Sequence, residues 1–220
     1  MEDFIGKDLI QKSVRKLTTY PVPFAIDEVK SNPRDSNDKL IISKALEFHS
    51  AGDINQAFKL YKSLFDKGIF HPLVLSNLGA IYQQSGKVEE AEIIYKKSIN
   101  KFPNSPFAYS NYAILLKAKG ELSLAEINQR QAIQLKPDFA EAHYNLGNTL
   151  KEIGKLNDAE NSLRKATELK PDYAEAYNNL GNIQKEIGEV DLAIKSFKKA
   201  IKLKSNFVEA YSNIGCVYKD

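Results

Sequence analysis

Apolar residues recur along most of the chain at the three- and four-residue spacing of amphipathic helices. In residues 140–173, one apolar stripe runs through Leu146 and Leu150, and a second runs through Leu163 and Ala166. Each stripe predicts a helix that buries one face. The segment therefore reads as two consecutive helices, packed against each other along their apolar stripes.

The same pair of stripes repeats at a fixed distance of 34 residues. Its most regular marks are a glycine between the two stripes and an alanine five residues later. These are Gly52, Gly86, Gly120, Gly154 and Gly188, with Ala57, Ala91, Ala125, Ala159 and Ala193. A glycine suits the left-handed backbone that ends a helix. A fixed period of this length is typical of an all-α solenoid, in which each helix–turn–helix unit buries its core against its neighbours.

The period divides the chain without any insertion, and a position within a unit is called its place below. The units are 38–71, 72–105, 106–139, 140–173 and 174–207, followed by a lone first helix, 208–220. Residues 1–37 lie outside the period and form a lead-in with an extended proline-containing stretch and a short helix. Two interpretations stay open: a flexible lead-in with a partly ordered cap, or a strap in which residues 20–26 dock on the solenoid.

The eighth place of every unit is also small, in addition to the alanine at the twentieth place. The eighth-place residues are Ala45, Gly79, Ala113, Gly147, Gly181 and Gly215. We expect the two small places to face each other and to let the paired helices approach closely. A leucine at either place would overpack the contact.

These residues resemble the tetratricopeptide repeat (TPR) family. Residues 177–182, Ala193, Phe197 and Ala200 lie in family places, and so do the Lys-Pro-Asp linkers between units. The resemblance covers residues 38–220. It implies a right-handed α-α superhelix of antiparallel helix pairs, acting as a protein-interaction scaffold.

The first helices of such a solenoid form its inner, concave wall, and their sixth place is asparagine in five successive units. A carboxamide offers two donors and an acceptor, so a row of them can pair with the backbone of an extended peptide. The family uses asparagines in this way in the superhelical arm of the O-linked N-acetylglucosamine transferase, which this row resembles. Asparagine at these places is also common in repeats of every function, so a packing role stays open. The candidate peptide-binding residues are Asn77, Asn111, Asn145, Asn148, Asn179, Asn182, Asn213, Lys117, Lys151 and Lys185.

The second place of the wall changes character along the chain. It is apolar at Leu73 and Phe107 and acidic at Glu141, Glu175 and Glu209. The twelfth place is lysine at Lys117, Lys151, Lys185 and Lys219, and Glu152 and Glu186 lie beside it at the thirteenth. We therefore expect a ligand that is apolar at one end and of mixed charge at the other. The same acidic residues exclude the lysine and arginine clamp with which chaperone-binding members of the family grip a terminal carboxylate.

Composition and the scattered reactive residues argue against catalysis. Cys216 is the only cysteine, and the three histidines have neither a helical His pair nor a cysteine partner, so no metal site, cofactor or enzymatic activity is expected. A net charge of +3 and the absence of a long apolar run predict a cytoplasmic protein that binds neither nucleic acid nor membrane. The basic clusters of the second helices are read as a solvated outer face, because acidic residues are interleaved with them.

The function predicted from the sequence is a scaffold that binds an extended peptide or partner segment in its concave groove. The alternative is a substrate-recruiting arm of a larger transferase, with the catalytic domain beyond residue 220. A third prediction concerns the last helix, 208–220, which shows no polar outer face of the kind that caps a solenoid. It predicts weak self-association through that helix.

Overall fold

The computed structural model describes residues 36–217, and the predicted lead-in therefore lies outside the described residues except for its last two positions. The predicted strap, 20–26, lies outside them entirely. Eleven helices and no strand occur in the described part of the chain, which confirms the all-α prediction. The helices are α1 Ser36–Ser50, α2 Ile54–Asp66, α3 Pro72–Gln84, α4 Val88–Lys101, α5 Pro106–Ala118, α6 Leu122–Leu135, α7 Ala140–Ile153, α8 Leu156–Leu169, α9 Ala174–Glu186, α10 Val190–Leu203 and α11 Val208–Val217.

The described helices belong to two compact parts of the chain, called the N-terminal part and the C-terminal part below, and the word unit is kept for a 34-residue repeat. The first ends at Ile69 and contains the pair α1–α2, which packs around the buried Tyr61 and Leu64. The second begins at Phe70 and contains α3 to α11. In it, each second helix packs on its own first helix and on the first helix of the next pair, and successive first helices also touch each other. The first helices α3, α5, α7, α9 and α11 therefore lie side by side and form one wall.

The turn glycines have the left-handed backbone that the sequence predicts. Gly154 follows α7 with φ +86°, and its N–H donates to the carbonyl of Lys151. The four other glycines of the series have φ between +73° and +87°. Only glycine adopts this conformation without steric cost, so the conformation fixes where each first helix ends.

The small eighth place has a different neighbour from the one predicted. A Cβ built on Gly181 would lie 2.7 Å from Cε1 of Phe197, and one on Gly147 would lie 2.7 Å from Cγ of Leu163. The alanine at the twentieth place comes near through its backbone, with the Ala159 oxygen 3.2 Å from a Cβ built on Gly147. The small residue thus makes room for the large side chain at the twenty-fourth place.

The twenty-fourth place of the third unit holds a polar residue, Gln129, in this buried position. The other units have Tyr61, Tyr95, Leu163 and Phe197 there. Gln129 is 1% exposed, and its Nε2 reaches the carbonyl of Ser110 only at 3.4 Å. Its Oε1 is buried without a hydrogen-bond partner among the described residues. An unpaired buried acceptor costs about 1–3 kcal/mol.

Replacing Gln129 by leucine is expected to raise the free energy of unfolding by about 1–2 kcal/mol, because it removes the unpaired acceptor at nearly constant side-chain volume. Thermal melting of the purified protein measures the change. The same substitution at the exposed Gln134 of the same helix is the control and should change stability by less than about 0.5 kcal/mol. A Gln129→Leu protein that melts below the parent would show that the carboxamide stabilises the fold.

Candidate functional site

All ten predicted site residues lie on the first helices of the C-terminal part of the chain, which begins at Phe70, and all are half-buried. Asn77 is on α3, Asn111 and Lys117 on α5, Asn145, Asn148 and Lys151 on α7, Asn179, Asn182 and Lys185 on α9, and Asn213 on α11. We call this surface of α3, α5, α7, α9 and α11 the inner wall.

Hydrogen bonds between the first helices of adjacent repeats connect three asparagines of the row to the preceding repeat. In three cases the sixth-place Nδ2 donates to the fifth-place side chain of the preceding unit, 35 residues earlier. The pairs are Asn111 with Ser76 Oγ, Asn179 with Tyr144 Oη at 3.2 Å and Asn213 with Asn178 Oδ1 at 2.9 Å. These asparagines therefore hold adjacent units in register, which is the packing role that the sequence left open.

The inner wall also brings Asn148 and Asn179 together, since Asn179 Nδ2 donates to Asn148 Oδ1 at 2.8 Å. The carboxamides of Asn145 and Asn182 make no hydrogen bond within the described part of the chain, so their donors and acceptors are available at the surface. The row thus contains two kinds of asparagine, one engaged between units and one not.

The lysines at the twelfth place form ion pairs with the same 35-residue offset. Lys117 lies 2.7 Å from Glu152, and Lys151 lies 2.6 Å from Glu186. Each lysine thus reaches the thirteenth-place glutamate of the next unit. The pairs are partly exposed, and the two charges of each pair compensate each other.

The acidic second place is compensated as well. Glu141 accepts from Lys170 Nζ at 3.1 Å, and Glu175 accepts from Lys204 Nζ at 2.9 Å. Each of these lysines comes from the linker that ends the same unit. This end of the wall therefore carries both charges, held in ion pairs, and the expected mixed charge of the ligand stays a prediction.

The predicted apolar end of the wall is wrong at Leu73. Its side chain is buried, with 3% exposure, so it is part of the core and cannot line a groove. Phe107 is half-buried and packs edge-on against Phe139, with ring centroids 4.9 Å apart. At the second place of α3 and α5, the apolar side chain packs against neighbouring residues, because its burial removes apolar surface from water.

Sequence reasoning missed the fifth-place residues, of which Tyr144 and Asn178 are the clearest. Tyr144 stacks at a tilt on Tyr173, with centroids 4.8 Å apart, and burial raises the pKa of both phenols. Asn178 is 1% exposed and donates to Glu209 at 3.0 Å. No pattern in the sequence marks them, because their contacts with Asn179 and Asn213 span 35 residues, whereas the repeat has a period of 34.

Replacing Asn179 by alanine is expected to lower the free energy of unfolding by about 1–2 kcal/mol. The change removes the hydrogen bonds that Asn179 Nδ2 donates to Tyr144 and Asn148, and the long one that its Oδ1 accepts from Asn178 at 3.5 Å. Asn145→Ala is the matched control at the same place of the preceding unit and should change stability by less than about 0.5 kcal/mol. Urea unfolding of both variants measures the difference. Equal stabilities of the two variants would show that the hydrogen bonds of Asn179 between repeats do not stabilise the fold.

The histidines have local structural contacts in place of a shared site. His71 caps α3, with Leu73 N–H donating to its Nδ1 at 3.2 Å, and burial lowers its pKa and so favours the neutral ring that accepts this bond. His49 Nδ1 lies 3.4 Å from the Tyr61 hydroxyl, and His143 Nε2 lies 3.0 Å from the Pro137 carbonyl. Residues 36–217 contain no cluster of three or more His, Cys, Asp or Glu suited to a metal. No helix among them is both long and apolar enough to cross a bilayer.

Comparison with protein-family models gives three matches, all to repeats of one kind. A model described as TPR repeat matches residues 128–154 and 147–188, and two described as Tetratricopeptide repeat match residues 174–207 and 74–105. A search of curated proteins found no match to the chain.

Similar solved structures include MamA, with 26% identity and a TM-score of 0.63 over 73% of this chain and 94% of that one. YrrB, described as a TPR protein with an unusual peptide-binding site, is 20% identical with a TM-score of 0.61 over 78% and 89%. TTC0263, a thermophilic TPR protein of Thermus thermophilus, is 20% identical with a TM-score of 0.65 over 83% and 100%. The last two show the fold alone.

Proposed function

We propose, from the premise that the chain belongs to the tetratricopeptide repeat family, that it binds an extended segment of a partner protein along its inner wall. The family supports a protein-interaction scaffold. In this proposal the groove is the binding surface and the asparagines are its contacts. The peptide-binding site in the description of YrrB is a precedent within the fold.

The observation that carries the proposal is the pre-ordered state of the inner wall. Contacts between residues 35 apart hold Asn111, Asn179 and Asn213 in place before any ligand arrives. Side chains that are already ordered lose little rotamer freedom on binding, so more of the contact energy appears as affinity. Between the ordered positions, Asn145 and Asn182 keep unused carboxamides that can pair with a peptide backbone.

The charges of the wall indicate a ligand with both acidic and basic side chains. The Lys117–Glu152 and Lys151–Glu186 pairs are partly exposed, at 31% and 48% and at 39% and 43%. A ligand carboxylate beside the lysine and a ligand cation beside the glutamate can each join a pair without leaving a buried charge alone. Such contacts favour specificity and fast association more than affinity.

The experiment that tests the proposal separates binding from stability. A partner is first captured on the immobilised protein, and its Kd is then measured by isothermal titration calorimetry. The double variant Asn145→Ala, Asn182→Ala should weaken binding about tenfold or more while its melting temperature stays at the parent value. The triple variant Asn111→Ala, Asn145→Ala, Asn179→Ala should weaken binding further and also melt earlier. Unchanged affinity in both variants would rule out the inner wall as the binding site.

The alternative function, a recruiting arm of a larger transferase, stays a prediction. The mass of the native protein in its own cells, by immunoblot or intact mass spectrometry, distinguishes the two functions. A mass near 24.7 kDa indicates a separate scaffold, and a much larger mass indicates a recruiting arm.

Self-association through α11 also stays a prediction. Val208 is 78% and Tyr211 is 51% exposed, and a Cβ on Gly215 would meet no atom within 4 Å. Sedimentation velocity over a range of concentrations tests the prediction, and a monomer at every concentration would exclude it.

A further inference from the structure

A pocket lies in the C-terminal part of the chain, on the side that is formed by the second helices of the repeats. It lies between α8 and α10, has α9 as its floor and holds about 290 Å³, close to the lower limit of ligand pockets at roughly 300 Å³. We call it the outer pocket. Its lining consists of Thr167, Tyr177, Leu180, Gln184, Leu192 and Ser196, together with the charged residues Arg164, Glu168 and Lys195. The carboxylate of Glu168 is paired with Lys165 Nζ at 3.1 Å.

The pocket lies where two places that are apolar in the other units are polar here, one of them also smaller. Thr167 occupies the twenty-eighth place, where the other units have Phe65, Ile99, Ile133 and Ile201. Gln184 occupies the eleventh, where the preceding units have Phe48, Tyr82, Leu116 and Leu150. At the preceding junction, Ile133 packs against the core that contains Leu146 and Leu150. Thr167 leaves that space open.

Hydrogen bonds hold the polar floor of the pocket in one arrangement. Ser196 Oγ donates to Gln184 Oε1 at 2.7 Å, and Gln184 Nε2 donates to Glu160 Oε1 at 3.2 Å. Arg164 Nε donates to the same carboxylate at 2.9 Å. Gln184 is 1% and Ser196 is 8% exposed, and both are hydrogen-bonded. The polar groups are therefore satisfied without filling the space, and the pocket is pre-formed.

Beside the pocket, α10 presents a group of exposed lysines that have no carboxylate partner in the described part of the chain. This lysine face consists of Lys195, Lys198, Lys199 and Lys202. Asp191, in the first turn, is the only acidic residue of α10. The helix α8 differs, because Arg164 pairs with Glu160 and Lys165 pairs with Glu168. The lysines of α10 are exposed, as the sequence interpretation of a solvated face expects, but acidic residues pair with the basic ones on α8 and not with these lysines in the described part of the chain.

We propose that the outer pocket and the lysine face form a second binding surface, which takes an acidic segment of a partner protein. One leucine-sized side chain of that segment enters the pocket, over Leu180 and Leu192, and its neighbouring carboxylates pair with the lysines of α10. The apolar anchor supplies the affinity, and the lysines supply orientation and fast association. This surface lies on the second helices α8 and α10 with α9 as its floor, and it uses none of the asparagines and lysines proposed for the inner wall.

The pocket favours a peptide over a nucleic acid or a membrane. A nucleic-acid strand would use stacked aromatic faces, whereas the ring of Tyr177 is half-buried with Lys199 Nζ 5.8 Å from its centroid. A membrane surface would need a band of exposed apolar residues, and on α10 the only large apolar residue that is exposed is Val190. A partly apolar pocket beside lysines that lack a carboxylate partner within the described residues matches one apolar side chain within an acidic sequence.

The test uses two labelled peptides, both of alternating glutamate and serine, with leucine at the centre of one and alanine at the centre of the other. Fluorescence anisotropy with the full chain should show the leucine peptide binding about tenfold more tightly. Thr167→Ile restores the residue of the other units and fills the pocket, so it should remove this difference without lowering the melting temperature. A difference that persists in Thr167→Ile, or no difference in the parent, would overturn the proposal.

The lysines are tested separately with exposed, conservative changes. Lys195→Gln, Lys198→Gln and Lys199→Gln together should weaken both peptides about tenfold and reduce the dependence of the Kd on salt. The charge-matched control is Lys39→Gln, Lys59→Gln and Lys67→Gln in the first unit, which should leave both affinities unchanged. Equal losses in the two triple variants would overturn the proposal, as would an oligothymidine of similar length that binds more tightly than the leucine peptide. Because the Asn145→Ala, Asn182→Ala variant should bind these peptides normally, the outcome is independent of the inner wall.

Discussion

Replacing Phe197 by alanine is expected to lower the free energy of unfolding of the last repeats by about 3–5 kcal/mol, the usual cost of removing a buried aromatic ring. Phe197 is 0% exposed and packs with Ala193 and Val217 in one core cluster. Its ring also covers Gly181, where even a Cβ would lie within 2.7 Å. The substitution therefore opens a cavity at the place where α9, α10 and α11 meet.

Native-state hydrogen exchange of the α9 and α10 amides measures the loss, because repeats can open locally without unfolding the rest of the solenoid. Phe207→Ala is the control, since that ring is half-exposed and lies under Lys204 at 4.7 Å, so its removal should cost less than about 1.5 kcal/mol. Equal losses in the two variants would mean that Phe197 is not a central part of this core.

Replacing Ala159 by leucine should destabilise the fourth repeat by about 1–3 kcal/mol through overpacking. Ala159 is 0% exposed, and its backbone oxygen lies 3.2 Å from the Cβ position of Gly147. The surrounding cluster already contains Leu146, Leu150 and Leu163, so the additional carbons of a leucine have no space to occupy. Helices α7 and α8 would have to move apart.

A thermal melt measures this second effect. Ala118→Leu at the exposed end of α5 is the control and should melt within experimental error of the parent. A melting temperature of Ala159→Leu equal to that of the parent would show that the twentieth place is not at the close approach of the two helices.

Much of the fold was predictable because the same pattern of apolar and small residues recurs in several repeats, 34 residues apart. Each unit repeats the apolar stripes of two helices and a glycine between them, and a chance coincidence in one unit does not recur in the next. The left-handed Gly154 and the helix that it ends follow from the lack of a Cβ, which is a property of that residue alone. The inner position of Asn179 follows from its place in the first helix.

The contacts between units were not predictable in the same way. Asn179 bonds to Tyr144, and Lys117 pairs with Glu152, across an offset of 35 residues that the period of the sequence does not contain. The offset arises from the stagger of adjacent first helices, which is set by how their side chains pack. Leu73 was misplaced for a related reason, since only the packing decides whether an apolar residue at the edge of a wall is buried.

By itself, the sequence determined the all-α repeat, the ends of the helices and which helix carries each asparagine, because these depend on local periodicity and on glycine's backbone freedom. Only the tertiary structure decided which asparagines are used between units and which keep unused carboxamides. It also decided that a pocket lies at Thr167 and Gln184, beside lysines of α10 that have no carboxylate partner within residues 36–217. Those outcomes depend on distances between residues that are remote in the chain, and such distances are fixed when the units pack together.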